Sequence, residues 1–85
     1  MPAAYILLNS KPDSEVEIIT KIKAIMKSDT QLVNYEIQGV YGVYDIVVKL
    51  ECKTMEDVRN TLGKIRRIDK IISTITMLVN EEQEI

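Results

Sequence analysis

The chain is predicted to fold as an α+β domain of order βαββαβ, on three observations. Four short runs are rich in apolar and β-branched residues. Two intervening stretches repeat their apolar residues at helical spacing behind residues suited to capping. Eighty-five residues contain no linker, low-complexity tract or composition shift that would divide them, so residues 1–85 are expected to form one domain. At that length only about 60–65% of the unfolded chain's surface is buried on folding. A lone monomer is therefore marginally stable, and self-association is a common remedy.

The first run, Ala3 to Leu8, is continuously apolar and of strand length, which suits a central strand buried on both faces. Lys11-Pro12-Asp13 breaks it. Ser14-Glu15-Val16-Glu17 then fits a capping box, in which a hydroxyl and a Glu three residues later satisfy exposed N–H groups. Beyond it Ile18, Ile19, Ile22, Ile25 and Met26 fall within about 120° of helical arc. Ser28-Asp29-Thr30 ends this helix.

Leu32 to Val40 alternates, with Val33, Tyr35 and Ile37 opposed to Asn34, Glu36 and Gln38, as in a half-exposed strand near a sheet edge. In the next strand, Ile46 to Cys52, residues Tyr44, Ile46, Val48, Leu50 and Cys52 share a face opposite Asp45, Val47, Lys49 and Glu51. Thr54 can cap a second helix, with Glu56 and Asp57 in the turn where the helix dipole favours anions. Met55, Val58, Leu62 and Ile65 make its apolar stripe. Gly63 costs that helix about 1 kcal/mol relative to Ala, a loss usually explained by close packing. Lys64, Arg66 and Arg67 suit the negative end of the dipole. The last strand runs from Ile71 to Val79, and residues 80–85 read as a short polar tail that frays.

This order predicts a ferredoxin-like fold: an antiparallel four-stranded sheet with both helices on one face. The other face then carries either the Asp45, Val47, Lys49 set or the Tyr44, Ile46, Val48 set. With a first strand apolar on both sides, that face is at least half apolar and is expected to receive a second copy of the chain.

Composition excludes several classes of function. A formal net charge of -2 argues against a nucleic-acid-binding surface. Ile46-Val47-Val48-Lys49-Leu50 offers no ring on which a base can stack. No phosphate-binding G-x-x-x-x-G-K-[ST] loop occurs. Histidine is absent and Cys52 is the single cysteine, which removes the commonest acid–base residue and metal ligand, leaves the thiol unassisted, and rules out an internal disulfide. The paired acids Glu15/Glu17 and Glu56/Asp57 are explained by helix starts. Neither an enzyme nor a cofactor is expected. Met1-Pro2-Ala3-Ala4-Tyr5 has no charged leader, and no apolar run approaches the ~20 residues of a membrane span, so a cytoplasmic protein is expected.

What remains is Gly39-Val40-Tyr41-Gly42-Val43-Tyr44-Asp45, two glycines and an acid between two strands. Glycine permits a tight bend that leaves N–H groups uncovered. A carboxylate beside such groups can hold a small zwitterion. The competing structural account is a hairpin turn in which Asp45 caps its own backbone.

Two segments resemble the effector-binding RAM domain of the Lrp/AsnC family. Gly42-Val43-Tyr44-Asp45-Ile46 is similar to the family's G-x-[YF]-D-[ILY] before the third strand. The stretch from Ile65-Arg66-Arg67-Ile68 through Asp69-Lys70 to Ile71-Ile72-Ser73-Thr74-Ile75-Thr76-Met77-Leu78-Val79 looks like the family's helix exit and final strand. The resemblance covers residues 3–79. Asp69-Lys70 stands where members often have Pro-Gly, so that turn is expected to be built differently. The usual N-terminal helix-turn-helix is missing, so this looks like a stand-alone RAM protein, and direct DNA binding is not carried over.

The resemblance implies a cytoplasmic dimer with sheets packed face to face, dimers assembled into rings, and effector sites at junctions between dimers. It implies an amino acid or similar small effector, and full-length Lrp/AsnC regulators as possible partners. The residues offered to the effector are the N–H groups of Gly42, Val43 and Tyr44 for a carboxylate, Asp45 for an ammonium, the hydroxyls of Thr74 and Thr76, and Tyr41 or Tyr44 as a wall. Taken alone, Thr74 and Thr76 are explained by β-propensity on an exposed sheet face. Two alternatives stay open: a small dimeric α/β-barrel enzyme of monooxygenase or isomerase type using Asp45 or a Tyr, and a purely structural assembly domain.

Overall fold

The structure is a computed structural model that describes residues 1–80. The expected tail begins at Asn80, and its residues 81–85 lie outside the described residues. Strand β1 (Ala3–Ser10), helix α1 (Glu15–Ser28), strands β2 (Leu32–Gly39) and β3 (Ile46–Cys52), helix α2 (Met55–Arg66) and strand β4 (Ile71–Leu78) follow one another. The sheet is antiparallel in the order β2-β3-β1-β4, so β1 and β3 are central and the fold is ferredoxin-like. Strand β1 is central as expected, but its fully buried residues lie on the helix-facing side, and Tyr5 and Leu7 on the other side are half-buried in the protomer.

Period-two alternation sets which residues meet the helices. Ala4, Ile6 and Leu8 on β1 and Ile46, Val48, Leu50 and Cys52 on β3 are buried. They pack against Ile18, Ile22 and Met26 of α1 and Val58, Leu62 and Ile65 of α2. The Ile46/Val48 set therefore faces the helices, and Val47, Lys49 and Glu51 face away. Two rows show the composition of the open face. Gln38, Val47, Leu7 and Ile75 form one, and Glu36, Lys49, Tyr5 and Met77 the next. Leu7, Val47, Ile75 and Met77 make the apolar part of this face, and Gln38, Glu36 and Lys49 its polar part toward β2, with the Lys49 ammonium 5.6 Å from the Tyr5 ring centre.

The two helix starts differ. Thr54 Oγ accepts from Asp57 N at 3.1 Å and donates to the Asp57 carboxylate at 2.8 Å, a reciprocal cap. The box expected at Ser14 does not form. Ser14 Oγ turns back to the Pro12 carbonyl, and Glu17 instead pairs with Lys70 at 2.8 Å. The α2–β4 turn brings Lys70 within reach of α1, and a charged partner outcompetes a backbone N–H. That pair lowers the Glu17 carboxyl and raises the Lys70 ammonium relative to their ordinary values, through their hydrogen bond first and their charges second.

The turn before β4 is built without glycine. Lys70 itself takes φ +73°, and its N–H bonds the Asp69 carboxylate at 2.9 Å. Gly63 is not explained by close packing. A methyl placed there would meet only the Arg67 guanidinium at 3.8 Å, an ordinary contact.

Candidate functional site

Antiparallel pairing brings the end of β1, the end of β2 and the starts of β3 and β4 to one end of the sheet. The first turn of α1 follows β1 there. The 40–45 loop is closed at its base by Val40 N donating to Asp45 O at 2.8 Å, and Asp45 N donates onward to Leu8 O at 2.9 Å. Of the two glycines that suggested a tight bend, only Gly42 has positive φ, at +125°, with open space where a Cβ would lie. Gly39 is an ordinary residue of β2.

The Asp45 side chain does not cap its own loop. Its Oδ2 accepts from Ser10 N at 2.9 Å and, more weakly, from Ser10 Oγ at 3.4 Å. This bond spans two elements and terminates β1, because Ser10 is where the β1–β4 register shifts. Among the described residues, the N–H groups of Tyr41, Gly42, Val43 and Tyr44 donate to no protein atom. The loop thus presents uncommitted donors beside a carboxylate with one oxygen to spare, the pairing that a zwitterion requires.

A surface pocket of about 450 Å³ opens here, lined by Glu15, Gly39, Val40, Tyr41 and Asp45. Its size lies within the usual range for small-ligand sites. Of the residues offered to the effector, Tyr41 and Asp45 line it. Gly42 and Val43 stand on the exposed part of the loop, and Tyr44 is half-buried. Tyr41 and Val43 project into solvent, as does Val16 on the first turn of α1.

Thr74 and Thr76 lie elsewhere in the protomer. They pair with Leu8 and Ile6, which places them on the helix side of β4, half-buried rather than on an exposed sheet face. Thr76 Oγ accepts from Arg66 Nη2 at 2.6 Å, tying the end of α2 to the edge strand. Two strands, β1 and β3, separate β4 from β2. Gly39 and Val40, also in the lining, belong to the loop singled out from the sequence, and Glu15 is the lining residue that sequence reasoning missed. The βαβ connection held a signal for Glu15, because a helix that follows β1 must start at the end where the β2–β3 loop sits.

A second, polar pocket of about 240 Å³ lies at the opposite end, between the α1–β2 loop and α2, with Asp29, Asp57, Asn60, Thr61 and Lys64 among its lining. Its carboxylates are already engaged. Thr61 Oγ, itself buried, donates to Asp29 at 2.6 Å, Gln31 N donates to Asp29 at 2.9 Å, and Thr54 Oγ holds Asp57. Burial pushes the Asp29 carboxyl up, but the Thr61 and Gln31 hydrogen bonds and the Lys64 charge outweigh it, and the group sits below its ordinary value. The Cys52 thiol behind Thr61 is pushed up, first by burial and then by Asp29 and Asp57. This end reads as structural. Among the described residues, no group of three or more His, Cys, Asp or Glu is placed to hold a metal, and no helix is long and apolar enough to cross a membrane.

The sequence matches no protein-family model, and no curated protein matches it. Solved structures do resemble it. FFRP-DM1 is 31% identical with a TM-score of 0.75, covering 94% of this chain and 100% of that one. Hypothetical protein PHS023 from Pyrococcus horikoshii is also 31% identical, with a TM-score of 0.76 over 98% of this chain and 94% of that one. E. coli AsnC shares the fold at 21% identity and a TM-score of 0.71. There the likeness takes in 99% of this chain but 54% of the AsnC chain.

Proposed function

Because this chain belongs to the Lrp/AsnC family as a RAM-like domain, we propose that it is a non-catalytic sensor whose β2–β3 loop pocket binds an amino acid or similar small metabolite. The observation that carries this reading is the loop itself. Unbonded N–H groups at 41–44 suit an α-carboxylate, and the Asp45 oxygen left free by Ser10 suits an α-ammonium. A non-enzymatic role is supported by a chain without histidine, the commonest acid–base residue.

Sensing would work through assembly. The apolar part of the open face, Leu7, Val47, Ile75 and Met77, favours a second copy of the chain packed sheet to sheet. The exposed Tyr41, Val43 and Val16 around the pocket favour closure by a further protomer. A ligand bound where protomers meet stabilises one assembly by its differential affinity. The same surfaces would let the chain join or compete with full-length Lrp/AsnC regulators.

The test is a thermal-shift screen against the twenty amino acids with light scattering in parallel. At least one amino acid is expected to raise the midpoint at millimolar concentration and to change the assembly. No shift and no change with any of them overturns the sensor reading and leaves a purely structural assembly domain.

A further inference from the structure

The acids of the pocket are unequally satisfied. Asp45 has one oxygen held by Ser10 at 2.9 Å, and the other suffices for one ammonium. Glu15, half-buried on the first turn of α1, makes no ion pair or hydrogen bond among the described residues. Two positions along, Glu17 is taken up by Lys70 at 2.8 Å. The remaining lining, Gly39, Val40 and Tyr41, brings no cation. Among the described residues, the pocket lining therefore holds two carboxylates and no compensating cation.

A neutral amino acid matches this poorly. Its ammonium answers one carboxylate while its own carboxylate goes to the loop N–H groups, so the second acid stays unmatched beside the ligand. A ligand with a further cationic group answers both. An acidic ligand adds a third negative charge and is disfavoured. The position of Glu15 at a helix start gives the α1 dipole a reason to favour it, but that role predicts no dependence on ligand charge.

Resting on the reading of this pocket as an amino-acid site, we infer that it selects amino acids with a second cationic group, an ammonium or guanidinium side chain, and that Glu15 sets the preference. A half-buried charge-assisted contact corresponds to a difference in affinity on the order of tenfold.

Lysine and norleucine, nearly matched in shape and different in side-chain charge, are the appropriate probes, with arginine and glutamate as further arms. Calorimetric titration of the full chain is expected to give lysine a Kd about tenfold below that of norleucine, with arginine similar and glutamate weakest. Glu15→Gln should bring lysine to the level of norleucine. Glu15→Lys should reverse the order, so that glutamate binds best. The unfolding midpoint of each variant confirms that it remains folded. If norleucine binds as well as lysine, or if Glu15→Gln keeps the lysine advantage, the selectivity is overturned while the pocket stands. If no amino acid of any charge binds, both readings fall.

Discussion

Asp45 accepts a hydrogen bond from the backbone N–H of Ser10 at 2.9 Å, across 35 residues of sequence. The contact joins the end of one central strand to the start of the other and fixes the height at which the 40–45 loop leaves the sheet. The carboxylate placed in the pocket thus also has a structural duty. Removing it leaves a part-buried N–H without an acceptor, a loss of about 1–3 kcal/mol. Asp45→Ala is expected to lower the urea midpoint accordingly, whereas Asp45→Asn, which keeps an oxygen acceptor, should lose less than half as much. If both variants unfold with the wild type, the Ser10 bond carries no weight.

Gly63 gives the opposite sign. It lies inside α2 with helical neighbours and ordinary space around it. Gly63→Ala should therefore gain about 0.5–1 kcal/mol by lowering backbone entropy in the unfolded chain and completing the helix surface. Equilibrium unfolding in urea reads this directly. A destabilised variant would mean that the neighbouring Arg67 cannot adjust.

These two positions show what the chain made legible and what it hid. Strand and helix order, the apolar stripes of α1 and α2, and the α2 cap at Thr54 all follow from periodicities of two and 3.6 and from local hydrogen-bonding chemistry. Which face of β3 meets the helices stays open in the sequence. The roles of Ser10, Glu15 and Lys70 do not follow either, because each depends on which segments the topology brings together. Glu17 shows the limit well. Its spacing from Ser14 is that of a capping box, yet Lys70, far away in sequence, captures it. Thr74 and Thr76 show it again, since their side of the sheet became visible only with the β1–β4 register.

Cys52 is buried behind Thr61, and its thiol is held above the ordinary value by burial and by the Asp29 and Asp57 charges. The thiolate is the reactive form. Native protein at neutral pH is expected to react with iodoacetamide far more slowly than protein in urea, at a rate that follows unfolding. Labelling as fast as that of a free thiol in native buffer would contradict this packing.

The carboxyl of Asp29 is held below its ordinary value in the folded state, so folding favours its ionised form. The sign follows from linkage. At neutral pH both folded and unfolded chains carry the ionised group and the stabilisation is fully present. As pH falls below the unfolded value, the unfolded chain takes up the proton first, and stability is lost until the folded carboxyl titrates too. Glu17, also lowered but solvent-exposed, adds to the same trend. Urea midpoints should therefore fall between pH 5 and pH 3, roughly the window of ordinary carboxylates, and Asp29→Asn should flatten part of that fall. An unchanged slope in the variant would place the acid sensitivity elsewhere.

The open face supplies the last expectation. Ile75 is 47% exposed and Met77 48% exposed in the protomer, on an edge strand that carries no charge from Ile71 to Leu78. Natural edge strands usually carry charges that discourage pairing. A charge at Met77 touches little in the monomer but would be buried and unmatched between two packed sheets. Met77→Glu is expected to leave the monomer's far-UV spectrum unchanged while weakening self-association at least about tenfold, since an unpaired buried charge costs several kcal/mol. Sedimentation velocity over a concentration series separates the two species. A dimer that tolerates Met77→Glu and also Ile75→Glu would show that the copies meet through some other surface.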